Sequence, residues 1–411
     1  DKATAGQVAG FVLEPIQGWG GSVMPPDDFF PKLRKYCDEK GILMMIDEVL
    51  TSWGRTGKWL CMEHWDVVPD IVTIGKGFGN GFPVTCVAVR EPYKESFESI
   101  SASSSYGGNP MACAAALACI EAIEEENLLA GLEKLRDLPA ETLDGKSIPL
   151  MVNTGLMTDI SRSLERGAEG VGLYRSEIPF MVRDRFPSEE EQRVIYREQL
   201  LAFSPSPVTM RTLDVGGDKS LPYFPIEEDN PFLGWRGIRM TLDHPEIFLA
   251  QIRAMLKASV GLDNLRIMLP MVTSVIEVEE ALHLIHRAHS EVESEGIKVS
   301  MPPVGVMVEV PAVVYQTRAF AQRVDFLSIG TNDLTQYLLA VDRNNRQVAS
   351  LYNSFHPSVL HAVMHVVEQA HEEGVPVSVC GEMAGDPASA LMLLAMGADS
   401  LSMNASNLLK V

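Results

Sequence analysis

This chain of 411 residues is short of positive charge, of long apolar runs and of paired cysteines. It carries 34 Lys and Arg against 55 Asp and Glu, a formal net charge of −21. That balance argues against a nucleic acid or an anionic membrane as the main partner, because either would need a basic field. An anionic small molecule would have to be met by a local cluster of arginines or by a metal. No run reaches the ~18 apolar residues of a membrane span, and no leader pattern is present. The six cysteines (Cys37, Cys61, Cys86, Cys113, Cys119 and Cys380) include no Cys-x-x-Cys pair. Free thiols in a reducing cytoplasm are expected. Internal repeats, low-complexity tracts and Gly/Ser-rich linkers are missing too. The chain opens on Asp1 rather than Met, which leads us to expect a fragment of something longer.

What remains is ordinary globular composition, 46% hydrophobic and 22% charged, of a length that suits two or three domains. In the first 130 residues, apolar strands are expected at Val8–Glu14, Ile42–Ile46, Val68–Ile74 and Phe82–Val89. Helices are expected at Asp28–Lys40 and at the Ala-rich Met111–Glu125. Such alternation predicts an α/β layer. Lys76 follows a strand between two glycines, where an amine can form a Schiff base with an aldehyde cofactor. Asp47 ends another strand, where a carboxylate can pair with a protonated pyridine nitrogen. The plain alternatives are a solvated surface amine and a helix N-cap.

Four motifs occur in order: Leu13-Glu-Pro-Ile-Gln-Gly18, Ile46-Asp-Glu-Val49 with Gly54-Arg-Thr-Gly57, Pro69-Asp-Ile-Val-Thr-Ile-Gly-Lys-Gly77, and Gly107-Gly-Asn-Pro110. Together they resemble the large domain of class III pyridoxal-phosphate aminotransferases. The resemblance implies a partial fold-type I aminotransferase layer over residues 1–130. It also implies pyridoxal 5'-phosphate as cofactor, held by Lys76, Asp47 and Ser105. Lys76 would carry the Schiff base, and Ser105 would contact the cofactor phosphate of a neighbouring subunit. Trp19 and Leu50 depart from the residues common in that family. Its upstream phosphate loop and its C-terminal small domain find no counterpart here.

A helical pattern runs into Pro139, and residues 131–147 form the expected seam. From residue 148 to 411, eight strand signals alternate with helical ones. The strands are Pro149–Asn153, Gly170–Tyr174, Val208–Leu213, Leu265–Met271, Val304–Val310, Val324–Ile329, Val375–Cys380 and Ser400–Met403. Helical runs include Glu189–Ala202, Pro245–Ala258, Val275–Glu293 and Pro357–Glu373. Eight such units over this length match a (β/α)8 TIM barrel, ~250 residues in most cases, here with its last helix missing.

A barrel of this kind gathers its chemistry at the C-terminal ends of its strands. Arg175 and Glu177 follow the second strand there. Arg211 ends the third, before Asp214-Val-Gly-Gly-Asp-Lys219, and Arg236 lies in Gly234-Trp-Arg-Gly237. Glu309 ends the fifth, Asn332 and Asp333 follow the sixth, with Arg343 one helix later, and Cys380 ends the seventh. Glu309 and Asp333 suit a hard divalent cation that keeps waters and takes the rest of its shell from a substrate phosphate. Arginine forks suit phosphate and carboxylate groups. No histidine sits at a strand end to activate Cys380, so proton donation is its better reading. His283, His286 and His289, like His361 and His365, are expected on solvated helix faces.

These rim motifs, with Asn230-Pro-Phe-Leu-Gly-Trp-Arg236, Leu269-Pro-Met-Val272, Ser328-Ile-Gly-Thr-Asn-Asp-Leu-Thr-Gln-Tyr337 and Cys380-Gly-Glu-Met-Ala-Gly385, resemble the C-terminal phosphoenolpyruvate-binding domain of enzyme I of the bacterial phosphotransferase system. The resemblance implies Mg2+ on Glu309 and Asp333. It implies phosphoenolpyruvate gripped by Arg175, Arg211, Arg236, Asn332 and Arg343, and Cys380 as the acid that protonates the enolate carbon. It further implies a cytoplasmic homodimer that serves a phosphocarrier protein through a histidine domain not found in this chain. Two other readings stand beside it: an aminotransferase, inactive because truncated, and a chimera of two fragments without joint function.

Overall fold

The computed structural model describes residues 8–18, 23–97, 107–125, 140–142, 144–156, 158–217, 219 and 221–411. The chain divides into two compact units, Asp1–Leu138 and Pro139–Val411.

The first unit is built on a four-stranded sheet: β1 (Gly10–Leu13), β2 (Leu43–Asp47), β3 (Ile71–Ile74) and β4 (Cys86–Val89), in that order. The first three strands are parallel, and β4 runs antiparallel to β3. Phe30 and Cys37 on the helix Phe29–Lys40 pack with Met44 and Ile46 of β2 and with Met62. Asp70 anchors this corner, accepting from the Met44 backbone N–H and from Arg34, both at 2.8 Å. The strand expected at Phe82–Val89 begins only at Cys86. Asn80 and Gly81 adopt left-handed backbone, and Pro83 has no N–H to give a ladder. The Ala-rich helix Pro110–Glu125 buries only Ala112 and Ala116, and Met111 and Leu117 stand exposed.

The second unit is a closed barrel of eight parallel strands: β5 (Leu150–Thr154), β6 (Val171–Arg175), β7 (Val208–Arg211), β8 (Leu265–Leu269), β9 (Val304–Val308), β10 (Phe326–Ile329), β11 (Val377–Val379) and β12 (Ser400–Met403). Closure comes from β12 pairing with β5, Leu401 opposite Leu150. The architecture is therefore the expected (β/α)8 barrel. β11 is shorter than expected because Pro376 cannot donate, and Val375 instead donates to Ala370 and closes the preceding helix. Two long helices start on capping boxes: Ser188 with Glu191 before Glu189–Phe203, and Ser274 with Glu277 before Val275–Ser294.

Side chains alternate along each strand. Val208 and Met210 of β7 face the surrounding helices in the main core. Inside, Leu173, Met268, Met307, Phe326 and Cys380 form a separate apolar cluster. Gly305 makes room for the Phe326 ring, since a Cβ there would sit 2.4 Å from it. This plug supports the rim from below.

Candidate active site at the barrel rim

The rim is organised around buried carboxylates and the arginines that share them. Asp214, just beyond β7, has no exposed surface. It meets Arg211 at 3.0 Å, Lys219 at 2.9 Å, and Arg236 through Nε at 2.9 Å. Burial opposes its ionisation, but these three cations outweigh it and hold the carboxyl well below the usual range. Arg211 also pairs with Glu177, which Lys219 approaches at 3.4 Å. Arg175 lies opposite Arg211 in the β6–β7 register. Among the described residues Arg175 meets no carboxylate within ion-pair distance.

Arg236 is completely buried. Its Nη2 donates to Asp214 Oδ2 and to Asp333 Oδ2, both at 3.0 Å. Asp333 sits in the first turn of the helix Thr331–Leu339, directly after β10. Its other oxygen, Oδ1, stands 3.1 Å from Arg343 Nη1. That contact lacks hydrogen-bond alignment, and neither atom has another hydrogen-bond partner.

Glu309 follows β9 and is 1% exposed. Burial first, then repulsion from Asp333 and Asp214, pushes it up to about 8. Its Oε1 accepts from the Met271 N–H at 2.7 Å. Met271 holds φ 55°, a left-handed value unusual for a side chain of that size, so its amide is aimed at Glu309 at a cost in backbone strain. Gly237 passes so close that a Cβ there would lie 2.9 Å from Met271.

Asn332 is fixed at both ends: Oδ1 accepts from the Glu382 N–H at 2.9 Å, and its carbonyl accepts from Tyr352 Oη at 3.2 Å. Its Nδ2 remains as the donor for a ligand. Cys380 lies just past β11, with Sγ 3.6 Å from the Ile329 carbonyl. Burial is the main cause that pushes its thiol up to about 11. Its carbonyl accepts from Asn153 Nδ2 at 3.2 Å, and Asn153 Oδ1 accepts from Ser402 Oγ at 2.6 Å. Gly172 leaves space for that hydroxyl.

The residues fit a divalent cation. Two mutually repelling buried carboxylates and an Asp333 oxygen without a hydrogen-bond partner call for positive charge. Among the described residues no group of three or more His, Cys, Asp or Glu side chains could hold a metal. A cation here would draw on water and substrate for the rest of its shell, as Mg2+ habitually does.

Glu177, Asp214, Lys219, Asn153 and Ser402 join the site without having been assigned a role from sequence. Glu177 and Asp214 were legible as rim residues, but their partners, set by the closing of the barrel, were not. Arg236 was expected on the substrate; its guanidinium instead lies between two carboxylates with no surface open to a ligand.

The first unit brings Asp47 and Lys76 to the ends of the adjacent parallel strands β2 and β3. Asp47 Oδ1 accepts from the Val49 N–H at 3.0 Å and from Thr73 Oγ1 at 2.9 Å. Lys76 is exposed, holds φ 45°, and lines a cavity of about 400 Å³ with Phe82, Pro83, Val84 and Thr85. Glu48, unassigned from sequence, is buried and accepts from Thr51 and the Met62 N–H. Ser105 lies outside the described residues.

Among families of known proteins, the PEP-utilising enzyme, PEP-binding domain family matches residues 129–411, and aminotransferase class-III matches residues 1–148. A Salmonella typhimurium protein named phosphoenolpyruvate-dependent phosphotransferase system is 52% identical over 276 residues, 67% of this chain and 37% of that protein. The phosphoenolpyruvate-protein phosphotransferase of Haemophilus influenzae is 47% identical over 285 residues, 69% of this chain and 49% of that protein. The chain thus spans half or less of the length of these relatives. Among solved structures, a transaminase from the marine bacterium Virgibacillus is 38% identical, covering 33% of this chain and 32% of that one, with a TM-score of 0.32.

Proposed function

The chain belongs, through residues 129–411, to the PEP-utilising enzymes and carries their PEP-binding domain, and from that membership we propose that its barrel binds phosphoenolpyruvate with Mg2+ for phosphoryl transfer to a protein histidine. The observation that carries the proposal is the convergence of Arg175, Arg211, Arg343, Glu309 and Asp333 on one rim above a buried thiol. Arg175 and Arg211 offer forks to the phosphate and carboxylate, and Asn332 offers an amide donor. Glu309 and Asp333 would hold Mg2+, which when bound neutralises charge on the phosphoryl and enolate oxygens.

As the phosphoryl group leaves, the bridging P–O bond breaks and its electrons pass into the enolate. Cys380 then gives its proton to the methylene carbon, producing pyruvate and a thiolate. A thiol whose burial holds it up at about 11 keeps its proton at neutral pH, so it suits an acid better than a nucleophile. A homodimer and a phosphocarrier protein as the eventual recipient belong to the same proposal. Arg175→Met and Arg211→Met variants are expected to lower phosphoenolpyruvate affinity, measured by calorimetry, by about tenfold or more, the scale of one charge-assisted hydrogen bond. Unchanged affinity in both would remove the arginine clamp from the account.

A second reading attaches to the first unit, favoured by Lys76 in left-handed backbone on the wall of a cavity. Its amine and the Asp47 carboxylate, at neighbouring strand ends, fit pyridoxal 5'-phosphate, Lys76 toward the aldehyde and Asp47 toward the ring nitrogen. Bound there, the cofactor would supply an electron sink for amino-group chemistry. Adding it to the protein should produce a visible absorbance band that Lys76→Ala lacks; an identical spectrum in the variant would dismiss the site.

A further inference from the structure

The two oxygens of Asp333 are held in different ways. Oδ2 belongs to a rigid assembly. It accepts from Arg236 Nη2 at 3.0 Å, and the same guanidinium is forked onto Asp214 through Nε at 2.9 Å and Nη2 at 3.0 Å. Arg236 and Asp214 are both fully buried, and Asp214 is itself braced by Arg211 and Lys219. Oδ1 has a weaker companion. Arg343 Nη1 stands 3.1 Å away without hydrogen-bond alignment, on a side chain that is 29% exposed.

The backbone around Arg343 explains how a charged group can stand there and still leave. Ala340 ends the helix Thr331–Leu339 in left-handed backbone at φ 52°. The Gln336 side chain holds the Arg343 N–H at 3.2 Å. The base of the arginine is thus fixed while its long stem remains able to swing. A divalent cation ligated by Asp333 needs an oxygen, and Oδ2 is committed to Arg236. Oδ1, which no hydrogen bond engages, is the oxygen freer to turn to the metal, and Arg343 stands beside it.

We propose that Asp333 divides its oxygens: Arg236 is a positioning residue that pins Oδ2, and Oδ1 exchanges between Arg343 and the divalent cation. Cation binding then releases Arg343 toward the anionic substrate, so that metal and anion bind cooperatively through one arginine. This rests on the reading of Asp333 as a metal ligand. It also removes Arg236 from the set of substrate contacts, since its guanidinium lies fully buried between two carboxylates with no surface open to a ligand.

The test is calorimetric titration of Mg2+ alone, without phosphoenolpyruvate, into the intact chain and three variants. Arg343→Met frees Oδ1 and should tighten Mg2+ binding several-fold, up to about tenfold. Arg175→Met also removes one rim charge but touches no carboxylate, and should tighten it less. Arg236→Lys keeps the charge but cannot bridge two carboxylates, and should weaken it. Equal tightening by Arg343→Met and Arg175→Met would mean that only net charge matters and would overturn the exchange. Unchanged Mg2+ affinity in Arg236→Lys would overturn the pinning of Oδ2. No Mg2+ binding to the unaltered chain at millimolar concentration would instead overturn the metal reading on which the proposal rests.

Discussion

Asp214 shows most clearly how one residue holds the rim together. It has no exposed surface and neutralises three cations that would otherwise repel one another. Asp214→Asn removes the carboxylate that Arg211, Lys219 and Arg236 share and leaves only Glu177 and Asp333 to balance the buried guanidinium groups, and a loss of about 3–5 kcal/mol is expected in denaturant unfolding. Its pH dependence has a definite sign. The folded carboxyl lies below its unfolded value of about 3.9, so its contribution is complete at neutral pH and is lost as pH falls below about 4. Cys380 behaves in the opposite sense. Held up at about 11, chiefly by burial, it should be alkylated by iodoacetamide at pH 7 far more slowly than the exposed Cys113. Mass mapping that finds the two modified at equal rates would contradict its role as a retained acid. Glu309, Asp333 and Cys380 were legible in the sequence because each ends or follows an apolar strand. The burial of Arg236 was not, since its partners lie 22 and 97 positions away in the chain.

At the scale of elements, the barrel strands were readable from their apolar runs, and most of the differences lie at their ends. Proline decides one of them, Pro376 shortening β11, and in the sheet of the first unit Pro83 likewise delays β4. Strand contacts inside the barrel were not readable, because they depend on register. Gly305 on β9 pairs with Phe326 on β10, and only a residue without Cβ leaves the ring its place. Gly305→Ala should lower stability by about 1–3 kcal/mol through overpacking. A second change, Phe326→Leu, should recover part of that loss in the same melting experiment. If the double variant melts no higher than the single one, the close approach is not what restricts position 305.

For the molecule as a whole, the two units differ in the size of their buried cores. The barrel has one contiguous core shared by strands and helices. In the first unit the buried cluster is confined to the helix Phe29–Lys40, β2 and their neighbours, around Phe30, Met44, Ile46 and Met62, and the Ala-rich helix buries only Ala112 and Ala116. Limited proteolysis should therefore cleave within residues 1–138 well before the barrel, leaving a resistant C-terminal fragment. Among the described residues no helix is long and apolar enough to cross a membrane.

A barrel that binds phosphoenolpyruvate through a Mg2+ site on Glu309 and Asp333 should reveal it when phosphoenolpyruvate is titrated into the intact chain with and without Mg2+. Saturable binding of one ligand per chain is expected, dependent on Mg2+ and lost in Asp333→Asn. Absence of binding with Mg2+ present, or equal binding without it and in the variant, would rule out the proposed site.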